Sequence, residues 1–215
     1  MIKSVAFETD VFINCPFDEK YAPLLEAMVF CVVYSGLMPR LATERLENGE
    51  NRLEKIIGLA RGAKYSIHDI SRCVSEKVGE FSRQNMPLEL GLDMGIRRFD
   101  TSLPSEKKFL IFESKAYESK RSLSDLAGQD VAAHNDRYET VISKVRDFLR
   151  VEAGIGLAGP ARIKADYETC LGWIVEKKIY EGHSERDALK LPTQERLEEM
   201  RNWLALGKPV TFLAE

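Results

Sequence analysis

The chain has little with which to build a metal centre. Its 215 residues hold three histidines and four cysteines. Cys15, Cys31, Cys73 and Cys170 are widely spaced, with no Cys-x-x-Cys pair among them, so neither a zinc site nor a redox dithiol is expected. They read as reduced, structural thiols. Long apolar runs are missing too: nothing approaches a membrane span, and Met1 to Thr9 carries one Lys and no apolar core. No secretory signal is predicted, and the expected location is the cytoplasm. Nor is there an excess of one charge. Against 34 acidic residues stand 31 basic ones, a net charge of −3, which offers no bulk attraction for nucleic acid or anionic lipid. What is present, 44% hydrophobic and 30% charged residues, suits a globular chain. Its length is enough for one domain with a full three-layer core. The default partner is therefore a small polar molecule.

Periodicity divides the chain into alternating elements. Val11, Phe12, Ile13 and Cys15 form a β-branched and aromatic run that Pro16 ends, because proline cannot donate to a central ladder. From Asp18 the apolar residues Ala22, Leu25, Met28, Val29, Val32 and Val33 recur at three- and four-residue steps up to Gly36, which predicts an amphipathic helix. Leu37 to Ala42 is a short second strand. Asn48 to Asn51 supplies a turn, and Leu53, Ile56, Ile57 and Ala60 mark a second helix ending near Gly62. Tyr65 to Ile70 reads as the third strand and Ser71 to Asn85 as a polar connection. Pro87, placed in a helix's first turn, leads a segment carrying Leu88, Leu92 and Ile96.

Lys107 to Glu113 is a buried strand by its continuous apolar centre. Ser114 to Asn135 is mixed, and Val141, Ile142, Val145, Phe148 and Leu149 mark a further helix. Strands alternating with helices predict a flavodoxin-like, doubly wound parallel sheet of about five strands with helices on both faces, since parallel neighbours need crossover connections. Gly154, Gly156, Gly159 and Pro160 then form a linker. The chain is expected to divide there into an α/β domain of residues 1–153 and a C-terminal helical extension of residues 154–215. The extension carries Trp173 and Trp203, which are available to dock on the domain.

In an open parallel sheet the ligand crevice lies beyond the carboxyl ends of the strands. Three segments fall there: Asn14 to Asp18, His68 to Ser71, and Asn85 to Gly91. Asp69 ends an apolar strand, where a carboxylate costs desolvation free energy unless it is hydrogen-bonded or faces a wet cleft. Glu89 is expected on the first turn of a helix, where the dipole favours a negative charge. Pro16, Phe17, Ser71 and Met86 flank these positions, and Asn14 and Asn85 can orient a ligand or a carboxylate. His68 points to the face opposite Asp69 by strand alternation, which suits a packing role. His134 and His183 have no partner pattern and read as surface histidines. Arg72 and Arg83 lie in a polar connection, where they are solvated or meet a phosphate.

The run Tyr65-Ser66-Ile67-His68-Asp69-Ile70-Ser71, followed by Asn85-Met86-Pro87-Leu88-Glu89-Leu90-Gly91, resembles nucleoside 2-deoxyribosyltransferases. It is also similar to their relatives among nucleotide N-glycosidases and TIR-like NAD-cleaving domains. Val11-Phe12-Ile13-Asn14-Cys15-Pro16-Phe17 is similar to the strand and proline turn that open the nucleoside pocket of that group. The resemblance covers roughly residues 10 to 150. It implies that Glu89 is a nucleophile attacking an anomeric carbon, and that Asp69 holds sugar hydroxyls or assists proton transfer to the departing base. Asn14, Pro16, Phe17, Ser71, Asn85 and Met86 would line the ligand. Neither metal nor cofactor is implied. Phe12 stands where the deoxyribosyltransferases commonly carry a tyrosine. The partners implied are a nucleoside, a nucleotide or NAD, within a homo-oligomer. A nucleotide-binding sensor or assembly module, of the kind that serves bacterial antiviral defence, is the alternative.

Overall fold

The computed structural model describes residues 5–43, 49–72, 75, 79 and 81–212. The strands are β1 (Asp10–Asn14), β2 (Met38–Leu41), β3 (Tyr65–Asp69), β4 (Lys108–Glu113) and β5 (Val131–Ala133). All pair in parallel, in the order β2-β1-β3-β4-β5. The helices are α1 (Val5–Thr9), α2 (Ala22–Tyr34), α3 (Arg52–Gly62), α4 (Asn85–Phe99), α5 (Tyr138–Glu152), α6 (Pro160–Tyr180), α7 (Glu185–Leu189) and α8 (Thr193–Ala205). The order reverses at β1, and helices cover both faces, which is the flavodoxin-like arrangement. None of the described helices is long and apolar enough to cross a membrane. Asn48 and Cys73, read above as a turn residue and a structural thiol, lie outside the described residues.

Alternation along the strands assigns the two faces. Val11 and Ile13 of β1, with Tyr65 and Ile67 of β3, join the apolar cluster under α2 and α5. Phe12 goes the other way, onto Ile56, Leu59 and Ala60 of α3. Leu90 and Met86 of α4 pack with Ile70 and Ile111 on that same side. The register Asn14↔His68 and Asp69↔Phe112 brings the ends of β1, β3 and β4 to one edge.

Four expectations are corrected by the structure. First, α2 is not amphipathic: Leu24, Ala27, Phe30 and Cys31 are buried along with the predicted face. The C-terminal helices cover its outer side, where Phe30 meets Tyr34, Tyr167 and Trp203 at ring separations of 5.5, 5.3 and 6.1 Å. A helix apolar all round is one covered all round. Second, the mixed stretch after β4 holds the fifth strand. Three residues are too few to show alternation, and their place comes from pairing with β4. Third, α4 begins at Asn85, so Glu89 is the fifth helical residue and lies past the first turn, which holds no acidic residue; Pro87 is in the first turn as expected, where its missing N–H has no intrahelical acceptor to lose. Fourth, α6 begins at Pro160 itself. The linker before it is held by Arg146, whose Nε donates to the Ala158 carbonyl at 2.9 Å and whose Nη2 donates to that of Leu157 at 3.2 Å.

Candidate active site

Two buried polar clusters lie on opposite faces of the carboxyl edge. The first is centred on Asp69, which is 0% exposed. Its Oδ1 accepts from the Ser71 backbone N–H at 2.8 Å and from the Ser71 hydroxyl. Its Oδ2 accepts from the Tyr21 hydroxyl and lies 3.0 Å from His134 Nε2. Burial pushes the Asp69 carboxyl up, but the hydrogen bond and proximity of His134, with Ser71 and Tyr21, more than offset it and hold the group below the ordinary aspartate range. Burial, and then Asp69 itself, push the Tyr21 phenol well up, so Tyr21 stays a proton donor. As placed, Asp69 is an ionised carboxylate whose acceptor positions are used within the chain.

His134 corrects the expectation of a surface histidine. It is 0% exposed, edge-on to Tyr21, and its Nδ1 accepts from the Asp136 backbone N–H at 2.9 Å. That bond leaves the ring proton on Nε2, which faces both Asp69 and Ser71 Oγ, the latter at 2.8 Å. Ser71 and Asp69 therefore share one ring nitrogen. In a hydrolytic triad they would flank opposite nitrogens, so this trio is an orienting cluster rather than an activated serine.

The second cluster lies between the sheet and α4. The Asn14 amide donates to His68 Nδ1 and to the Met86 carbonyl, each at 3.0 Å. His68 Nε2 lies 3.0 Å from Asp93 Oδ2, which also accepts from Ser66 Oγ at 2.6 Å. Lys107, 0% exposed, ion-pairs with Asp93 Oδ1 at 3.2 Å and donates to the carbonyls of Ala60, at 2.6 Å, and Ala63. Burial pushes Asp93 up, while His68, Lys107 and Ser66 together bring it below its ordinary value. His68 does point away from Asp69, as alternation requires, but it is a hydrogen-bonding link as well as a packing residue.

Glu89 differs from every other buried carboxylate here. It is 6% exposed, one turn beyond Met86 on α4, and no hydrogen bond to it is found among the described residues. Burial raises its carboxyl from 4.5 to about 7, with Arg52 drawing it partly back. Cys15 stands between the two acidic groups: burial, then Asp69, Glu89 and Asp18, push its thiol well up. It is an inert, fully buried thiol. Asp69 and Glu89 are therefore both within electrostatic reach of one side chain at this edge.

Of the other predicted residues, Pro16 is buried, Phe17 and Ser71 are half-buried, Met86 is buried and Asn85 is exposed at the start of α4. Phe17 lines an open groove of about 730 Å³ with Asp18, Thr43 and Leu189 to Leu191. Arg72 and Arg83 both reach Asp18, with Arg72 Nη2 at 3.0 Å and Arg83 Nη1 at 3.5 Å. They tie the connection after β3 to the one after β1. Among the described residues no group of three His, Cys, Asp or Glu gathers as a metal site.

No family model, curated protein or solved structure matches the chain. The chemistry must be read from the site.

Proposed function

We propose that the chain cleaves or transfers an N-glycosidic bond in a nucleoside, nucleotide or NAD, with Glu89 as nucleophile. The observation that carries this reading is the buried Glu89 carboxyl near the start of α4, without a hydrogen-bond partner among the described residues and raised to about 7 by burial. A structural carboxylate finds partners. Asp69, Asp93 and Glu113 all do, Glu113 accepting from Tyr117 N–H at 2.7 Å and Ser119 N–H at 2.9 Å. One without a partner among the described residues and poised between its two protonation states at neutral pH is suited to chemistry.

In the reaction, a Glu89 oxygen bonds to the anomeric carbon as the carbon–nitrogen bond breaks. The electron pair leaves on the base, which takes a proton from solvent. Water, or a second base, then attacks the same carbon and frees the carboxylate. Asp69, held ionised, keeps Tyr21 and Ser71 in place and favours the positive charge that develops on the sugar.

A sensor that binds a nucleotide without cleaving it is the second reading, and the full use of Asp69 within the chain favours it. One experiment separates the two: nucleosides, nucleotides and NAD are incubated with the protein and with Glu89→Gln, and free base is followed by chromatography. Base release by the native protein, abolished in the variant while ligand binding persists, supports the enzyme. Release unchanged in the variant removes Glu89 from the mechanism. No release, with a ligand-dependent rise in Tm, supports the sensor.

A further inference from the structure

Asn14 closes β1 at the carboxyl edge, 1% exposed, and its Oδ1 has no hydrogen-bond donor among the described residues. The orientation of this amide follows from its neighbours. The Met86 carbonyl can only accept, so the group 3.0 Å from it is the NH2. The second N–H of that NH2 meets His68 Nδ1, which must therefore accept. The imidazole proton is then on Nε2, facing Asp93, and Asp93 is kept an acceptor by Lys107 and Ser66. Both ends of the chain demand the same polarity, and the atom left over is a carbonyl oxygen.

We infer that Asn14 Oδ1 is the acceptor for a sugar-ring hydroxyl of the ligand, and that the buried Lys107–Asp93–His68 chain fixes it as an acceptor. The inference rests on the N-glycosidic reading for the identity of the ligand. Buried carbonyls without donors are uncommon in folded proteins, and each calls for an explanation such as a ligand that supplies one. On the N-glycosidic reading the sugar is the part of the ligand that Glu89 attacks, and the Met86 carbonyl that holds the Asn14 amide stands three residues before Glu89 on α4, about one helical turn along the axis. His68, Asp93 and Lys107 do not touch the ligand and are positioning residues.

The test has two readouts. In the native protein, nitrogen NMR of the His68 ring should show the Nε2–H tautomer. The four common ribonucleosides and their 2′-fluoro and 3′-fluoro analogues, which accept at that position and cannot donate, are then titrated into Glu89→Gln. At least one pair should differ at least about tenfold in Kd in favour of the hydroxyl. In Asp93→Asn, Lys107 holds the new amide carbonyl, so its NH2 faces His68. The ring should switch to Nδ1–H, which sets a donor against the Asn14 NH2 while the Met86 carbonyl still holds that NH2; the amide then loses its fixed place, and the preference for hydroxyl over fluorine should fall. An Nδ1–H or doubly protonated ring in the native protein overturns the inference, as does a preference that Asp93→Asn leaves intact. The tautomer measurement needs only the native chain, so it stands if the variant fails to fold. Failure of every nucleoside to bind, with Nε2–H observed, would count against the N-glycosidic reading and leave the polarity of the chain standing.

Discussion

His134 Nε2 lies 3.0 Å from Asp69 Oδ2, both side chains fully buried. The histidine that follows β5 thus helps Tyr21 and Ser71 to compensate the aspartate that ends β3. His134→Ala should lower unfolding free energy by about 3 kcal/mol, the usual consequence of leaving one member of a buried pair. Urea denaturation at pH 7 measures it. Because the folded Asp69 carboxyl is held below its ordinary value, its contribution is complete above the unfolded value of 3.8. It is lost only as pH falls through the still lower folded value. In His134→Ala that loss should begin at a higher pH.

Glu89 carries the opposite sign. Its folded carboxyl is raised from 4.5 to about 7, so between those values the native state holds more protons than the unfolded one, and stability declines as pH rises. Glu89→Gln removes that penalty. It should stabilise the protein by up to about 3 kcal/mol at pH 8, an upper figure set by the size of the shift, and should have little effect at pH 4. Paired urea titrations at the two pH values check it, and a destabilised variant at pH 8 would contradict the burial argument.

Base release should follow the same group. A nucleophile must be ionised, so kcat/KM should climb from pH 6 to pH 8 with a midpoint near the Glu89 value of about 7. A rate flat across that range would assign the attack to another residue.

The C-terminal helices should be required for the fold. Trp203, 1% exposed, packs on Phe30, and its indole N–H donates to the Pro209 carbonyl at 2.8 Å. Trp203→Ala should cost about 3–5 kcal/mol through the cavity it leaves. Removing residues 154–215 should yield an aggregating fragment, because it uncovers the apolar outer side of α2. A monomeric, cooperatively melting fragment would show instead that α2 tolerates water.

The sequence alone determined the alternation of strands and helices, the parallel sheet and the edge at which polar residues collect. Those follow from local periodicity and from the short reach of strand-to-helix turns, which place Asp69 and Asn14 at strand ends on that edge; Glu89 was singled out by the resemblance. Asp93 was legible in principle: it lies four residues from Glu89 on one helix face, an acidic residue turned inward. His134 was findable by the rule that selected Asp69, had the three-residue β5 left a pattern.

Only the tertiary structure decided what each carboxylate is. Periodicity gives the same signal for a carboxylate that is hydrogen-bonded and one that is not. The difference between Asp69 and Glu89 comes from Tyr21, Ser71 and His134, which strand packing brings from three separate segments onto one of them and not onto the other. The all-round burial of α2 is likewise non-local. Its outer face is as apolar as its inner one, but only the return of α6 and α8 shows what covers it.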